Sequence, residues 1–191
     1  MSCSASSLDT WVAIDFETAT REPTSVCAVG VAVVSGDRVV ETASWVVRPP
    51  FNEYEFWNTH VHGMGPDDTE LAPDFREIWF ELQPLVALGP LLAHNASFDM
   101  RVLRALQRSR ELPMPAVTYA CTVAMARRAF PALPNHRLDT VCGHCGIGLV
   151  HHDAASDAEA CANVALACAS QAGAMSLSEA CEILGVRVAQ L

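Results

Sequence analysis

Two β-branched runs, Val26 to Val34 and Val39 to Val47, stand either side of Ser35-Gly36-Asp37. Such runs flanking a short Gly-containing turn read as a β-hairpin. A third run, Trp11-Val12-Ala13-Ile14-Asp15-Phe16, precedes them, so the chain opens with three strands in an antiparallel meander that ends at Pro49-Pro50. Residues 51–73 hold Pro, Gly, Asn, Asp and several aromatics without a clear period, and are expected to be mostly loop. From there helices and short strands alternate. Phe75 to Leu88 carries Phe75, Ile78, Trp79 and Leu82 on one stripe, with Pro84 predicting a kink or early stop.

Leu91 to Ala93 reads as a buried strand, and Ser97 as the cap of a helix to about Arg110. Val117 to Tyr119 is a further strand. Helices are expected over Thr122 to Phe130, from Asn135 to Cys145, and from Ser156 to about Ala169. Ser176-Leu177-Ser178-Glu179 fits a capping box. This order predicts one mixed α/β domain. Its expected bounds are a frayed N-terminus over 1–8, a domain over 9–172, and a C-terminal helix and tail over 173–191, the last residues being a tail or the start of a linker.

Composition narrows the chemistry. The 191 residues carry a formal net charge of −10. A binder of long duplex DNA usually presents a basic face, whereas an enzyme that grips only a strand end need not. All 12 basic side chains are arginine. Without lysine there is no Schiff-base nucleophile and no phosphate-loop lysine. This bias, and the abundant alanine, read as genomic composition. No apolar stretch reaches the ~18–20 residues that span a bilayer, and the start lacks a signal-peptide pattern, so a cytoplasmic location without membrane contact is expected. The 8 cysteines read as reduced thiols. Cys142 and Cys145 fall on one helical stripe with Leu138 and Val141, which favours core packing over zinc.

On the first strand Asp15 and Glu17 are two residues apart and leave the same face. Asp99 lies in the first turn of its helix, at the head of the stripe of Leu103 and Leu106. Asp157 heads a stripe with Cys161, Val164 and Cys168. Taken singly, an acid in a first helical turn is explained by the helix dipole. Four acids at element ends, on inward faces, make a site for hard divalent cations.

Asp15-Phe16-Glu17-Thr18, His94-Asn95-Ala96-Ser97-Phe98-Asp99, and His152 five residues before Asp157 resemble the three motifs of the DEDDh superfamily. These 3′–5′ exonucleases are similar to the proofreading epsilon subunit of bacterial DNA polymerase III and to RNase T. The tyrosine subgroup would have tyrosine at position 153, which is Asp153 here. The resemblance spans about residues 10 to 170. His62-Gly63-Met64 and Leu133-Pro134 with Arg137-Leu138-Asp139-Thr140 also look like the family.

The resemblance implies an RNase H-like fold, with a mixed sheet of about five strands and helices on both sides. It implies Asp15, Glu17, Asp99 and Asp157 as ligands of two Mg²⁺ or Mn²⁺ ions, Asp15 bridging them, with His152 as general base. Thr18, His62, Met64 and Phe98 would line the pocket for the terminal nucleotide. The substrate would be a single-stranded 3′ end, released as nucleoside 5′-monophosphates. A DNA polymerase subunit is a candidate partner, and a non-catalytic or proofreading subunit is the alternative reading. The motifs leave DNA or RNA open, because that choice rests on contacts to the 2′-hydroxyl.

Overall fold

The computed structural model describes residues 9–110 and 112–191. The expectation for residues 1–8 lies outside the described residues. The meander forms as read: β1 (Thr10–Thr18), β2 (Val26–Ser35) and β3 (Arg38–Val46) pair antiparallel, with Gly36 taking the left-handed turn position at φ 67°. β4 (Leu91–Ala93) adds parallel to β1, and β5 (Thr118–Cys121) parallel to β4. The sheet is mixed, as expected, with six strands in the order β3-β2-β1-β4-β5-β6. The sixth is Ala189–Gln190, which returns antiparallel to β5, so part of the stretch expected to be a tail belongs to the sheet.

Helices cover both faces. Val12, Ile14 and Phe16 of β1 pack with α3 (Phe75–Val86) and α4 (Ser97–Arg110). Trp11 and Ala13 face the other layer, which holds α5 (Thr122–Ala129), α6 (Leu138–Cys145), α7 (Ala154–Ala172) and α8 (Leu177–Ile183). Asp15 and Glu17 continue this second face by strand alternation. Alanine has a structural use here. Ala158, Ala162 and Ala165 of α7 are fully buried in the layer that includes Ala13 and Ala32 of the sheet. Small residues on both sides let helix and sheet approach closely. The approach is tightest at Gly30, the cross-strand partner of Asp15: a Cβ placed there would lie 1.9 Å from the Ala154 carbonyl oxygen.

Several boundaries differ from the expected ones. Residues 51–73 contain a 3₁₀ turn at Pro50–Asn52 and two helices, α1 (Phe56–His62) and α2 (Pro66–Thr69), rather than mostly loop. α3 runs through Pro84; the residue four before it is the exposed Phe80, on the solvent side. Ser97 does not cap α4 but lies in it, its hydroxyl bonded to Asn95 Oδ1. α6 starts at Leu138 rather than Asn135, because the Asn135 side chain instead accepts the N–H of Arg137 in a tight turn. α7 starts earlier than expected, capped by Asp153, whose carboxylate accepts the N–H of Ser156.

α8 is capped by Ser176, which accepts the N–H of Glu179. The Glu179 carboxylate accepts the N–H of Met175 rather than that of Ser176, so the reciprocal half of the box is shifted by one residue. A second cap comes from far away: Asp9 Oδ2 accepts the N–H groups of Leu177 and Ser178, and Asp9 Oδ1 accepts the Ser178 hydroxyl at 2.6 Å. The seven described cysteines are free thiols, with Cys142 buried beside Leu138 and Val141. Among the described residues no single helix is long and apolar enough to cross a membrane.

Candidate active site

β1 is paired with β4 only as far as Ala13, so the backbone beyond it needs other partners. Asp99, from the first turn of α4, supplies one: its Oδ1 accepts the N–H of Phe16 at 3.2 Å. Asp99 is 1% exposed. On the other layer the sharp chain reversal at His152 (φ 66°) brings α7 over β1. Oxygens of Asp15, Glu17 and Asp157 then lie within 4.8 Å of one another. Two β1 acids on one face and one helix acid above them thus converge as their spacing predicts, while Asp99 approaches from the opposite helical layer.

A cleft of about 600 Å³ opens over these acids. Its walls include Asp15, Glu17, Asp157, His151, His152 and Phe98, together with Val61, His94, Asn95, Arg127, Asn135 and Arg137. Asp157 is held by two neighbours. Its Oδ2 accepts the His152 N–H at 2.8 Å, and its Oδ1 lies 3.4 Å from His151 Nδ1. The two imidazoles stack at 3.9 Å, and His152 Nδ1 reaches to 3.8 Å from Glu17 Oε1.

Burial raises the carboxyl pKa values of all four acids, because a charged carboxylate loses its hydration there. At Asp15 and Glu17 repulsion from neighbouring carboxylates adds to this. Asp15 is pushed well up, by burial and then by Asp99, Glu17 and Asp157. Glu17 is pushed up to about 8, by burial and then by Asp157 and Asp99. At Asp157, burial is partly opposed by the His152 N–H and by His151. Among the described residues the ion-pair partners of these acids are only the two imidazoles. A divalent cation would supply the counter-charge, and oxygen donors at this spacing suit a hard one. The donor set therefore fits Mg²⁺ or Mn²⁺. His152 goes the other way: burial lowers its pKa, favouring the neutral ring near pH 7.

The expected substrate residues divide. Phe98 lines the main cleft. His62 and Met64 line an adjoining hollow of about 300 Å³, shared with His151 and His152. Thr18 is buried, and its carbonyl accepts from Asn58 Nδ2 at 2.8 Å. His62 braces this junction. Its Nδ1 accepts the Met64 N–H, so Nε2 carries the proton facing the Thr18 carbonyl at 3.3 Å.

Several wall residues lay outside the sequence-derived set, among them Val61, Arg127, Asn135 and Arg137. Arg137 stood in a stretch that resembles the family, and Asn135 was read only as a helix start. His94 is another, and its place in the second motif was its only signal. Its Nε2 meets the His136 carbonyl at 3.0 Å and must donate, leaving Nδ1 to accept the Thr122 hydroxyl at 2.9 Å. Burial lowers its pKa to about 4, in keeping with this neutral ring. His94 thereby ties the end of β4 to the loop that carries Asn135 and Arg137.

Comparison with known proteins agrees with this geometry. The model of the RNase T exonuclease family matches residues 12–165. The chain is 28% identical over 155 residues to the PolC-type DNA polymerase III of Oceanobacillus iheyensis, covering 80% of this chain and 11% of that protein. It is 36% identical over 106 residues to the PolC-type enzyme of Halalkalibacterium halodurans, covering 54% of this chain and 7% of that protein. The chain thus spans about a tenth of the length of these relatives. Exonuclease X, solved with 5′-overhanging duplex DNA, superposes with a TM-score of 0.73 at 22% identity, over 92% of this chain and 99% of the other. A full-length 3′-exonuclease gives 0.71 at 20%, over 90% and 85%. With the mixed sheet in place and Asp15, Glu17 and Asp157 gathered at one cleft, the chain belongs to the RNase T exonuclease family.

Proposed function

We propose that the cleft removes nucleotides one at a time from the free 3′ end of single-stranded DNA or RNA, releasing nucleoside 5′-monophosphates. The observation that carries this is the convergence of Asp15, Glu17 and Asp157 within 4.8 Å, with His152 beside them. Asp15, Glu17, Asp99 and Asp157 would hold two Mg²⁺ or Mn²⁺ ions. When bound, such ions stabilise the attacking and leaving oxygens of a phosphoryl displacement.

The chain supplies the rest. His152, neutral near pH 7, takes the proton from the attacking water and passes it to solvent. The water oxygen bonds to phosphorus as the bond to the neighbouring 3′-oxygen breaks, and that oxygen takes a proton from solvent, so the shortened strand ends in a 3′-hydroxyl. Phe98 lies against the terminal nucleotide, with Thr18, His62 and Met64 shaping the pocket through the β1–α1 junction. Arg127 and Arg137 stand on the wall where phosphates would pass. The strongly acidic chain offers little attraction to a duplex, which favours an unpaired end.

Similarity to PolC-type polymerases supports a second reading, a proofreading exonuclease working beside a polymerase subunit. Degradation of matched 3′-labelled DNA and RNA oligomers, with and without Mn²⁺, tests both. Stepwise shortening from the 3′ end only with metal is expected. A preference for mispaired over paired primer ends would favour proofreading. Cleavage from the 5′ end or at internal bonds would overturn the proposal.

A further inference from the structure

Phe56 and Trp57, within the stretch 51–73 expected to be mostly loop, open α1, whose Val61 is a wall of the cleft. α1 has its polarity reversed for a helix on a globular domain. Asn58 and His62, four residues apart, point inward and bond to the Thr18 and Thr20 carbonyls. The outward ridges are Phe56–His60 and Trp57–Val61, and Phe56 and Trp57 are 73% and 66% exposed. Phe56 stacks on His60 at 6.0 Å and meets Trp57 edge-on at 5.4 Å. These rings are therefore ordered against one another, with one broad face left to solvent.

We propose that this outward face of α1 stacks the bases of the nucleotides immediately 5′ of the terminal one, on single-stranded nucleic acid. The inference rests on the exonuclease reading of the cleft. Continuity identifies the occupant. Val61, at the inner end of the Trp57 ridge, is a wall of the cleft that holds Asp15 and Glu17. One helical turn outward, about 5.4 Å, stands Trp57. Stacked nucleotides advance by about 3.4 Å each, so the ridge serves one or two of them. α1 is fixed to the end of β1, the strand that carries Asp15 and Glu17, by Asn58, His62 and the Glu55 N–H to the Ala19 carbonyl. Platform and reacting centre thus keep a constant separation. A chain of net charge −10 without lysine cannot grip a strand chiefly by charge, and aromatic stacking supplies affinity without regard to sequence.

The test is a Phe56→Ala/Trp57→Ala double variant assayed on two substrates. One is a single-stranded 20-mer. The other is the p-nitrophenyl ester of thymidine 5′-monophosphate, which has no nucleotide 5′ of the terminal one. KM for the 20-mer should rise about tenfold with kcat within twofold, while the KM of the ester stays put. Phe56→Tyr/Trp57→Tyr should restore the 20-mer KM. An unchanged 20-mer KM, or equal damage to both substrates, would overturn the proposal. If wild type hydrolyses neither substrate, the exonuclease reading fails instead. Anisotropy of a labelled 20-mer in EDTA then decides the stacking surface alone, with equal affinity of wild type and double variant counting against it.

Discussion

The backbone N–H of His152, not its side chain, holds Asp157 Oδ2 at 2.8 Å. The left-handed backbone at His152 aims this N–H at the carboxylate and leaves the imidazole free beside Glu17. Loss of the side chain therefore spares the acid. His152→Ala should lower kcat by roughly 10²–10⁴-fold while the Mn²⁺ concentration needed for half-maximal thermal stabilisation stays close to wild type. Asp157→Ala should damage both. His151 stacks on His152 and lies 3.4 Å from Asp157, so His151→Ala should cost less turnover than His152→Ala. If His151→Ala is the more harmful, the two imidazoles have exchanged roles. The wild-type rate should climb with pH through a limb below the ordinary histidine value, and the residual rate of His152→Ala should lack it.

The acids make metal-free stability fall as pH rises. A carboxyl whose folded pKa lies above its unfolded one binds more protons folded than unfolded between the two values. Glu17 does so between about 4.5 and about 8, and Asp15 is raised in the same sense. The stabilisation is complete below the unfolded value and lost as pH rises through the folded one. Melting temperature in EDTA should therefore drop between about pH 5 and pH 8. Millimolar Mn²⁺ should restore it most at the alkaline end, since a ligand of the folded state stabilises it. Glu17→Gln should melt higher than wild type in EDTA at pH 8 and gain less from Mn²⁺. A flat melting profile across this range would refute the electrostatic account.

Gly30 sets how near α7 can come to β1's acids. A methyl group there meets the Ala154 backbone, which has no side chain to rotate away. Gly30→Ala should cost about 1–3 kcal/mol through overpacking. It should also lift the start of α7, separating Asp157 from Asp15 and Glu17, with at least a tenfold loss of turnover and weaker Mn²⁺ stabilisation. Gly148→Ala, where nothing lies within 4 Å, should leave both unchanged. Circular dichroism, melting curves and steady-state assays on the pair decide the matter.

The strands, the inward acids and the helix carrying Cys161, Val164 and Cys168 were legible because their side-chain periods match a buried face. α1 was not, because its apolar residues point out and its polar Asn58 and His62 point in, which inverts the usual signal. Asn135 carried the residue type of a cap but spends it on a turn two residues ahead of α6's own N-cap, Arg137. β6 has two residues, too few for any period. Gly30's role also escaped, since it depends on a helix more than a hundred residues away.

Asp9→Ala should remove the second cap of α8, costing about 0.5–2 kcal/mol, with kcat unaffected because the tie lies away from the cleft. A melting point equal to wild type would show the tie to be redundant.

That tie also orders events in time. Asp9 precedes β1, yet its partners Leu177 and Ser178 are 168 and 169 residues further on. Asp157 is likewise the last of the four acids to leave a ribosome. A nascent chain that has already built the hairpin still lacks the helix that covers the second face of β1 and completes the cleft. Contacts this distant in sequence slow folding, so the growing polypeptide passes through a stage in which its meander has been made and its set of four acids has not.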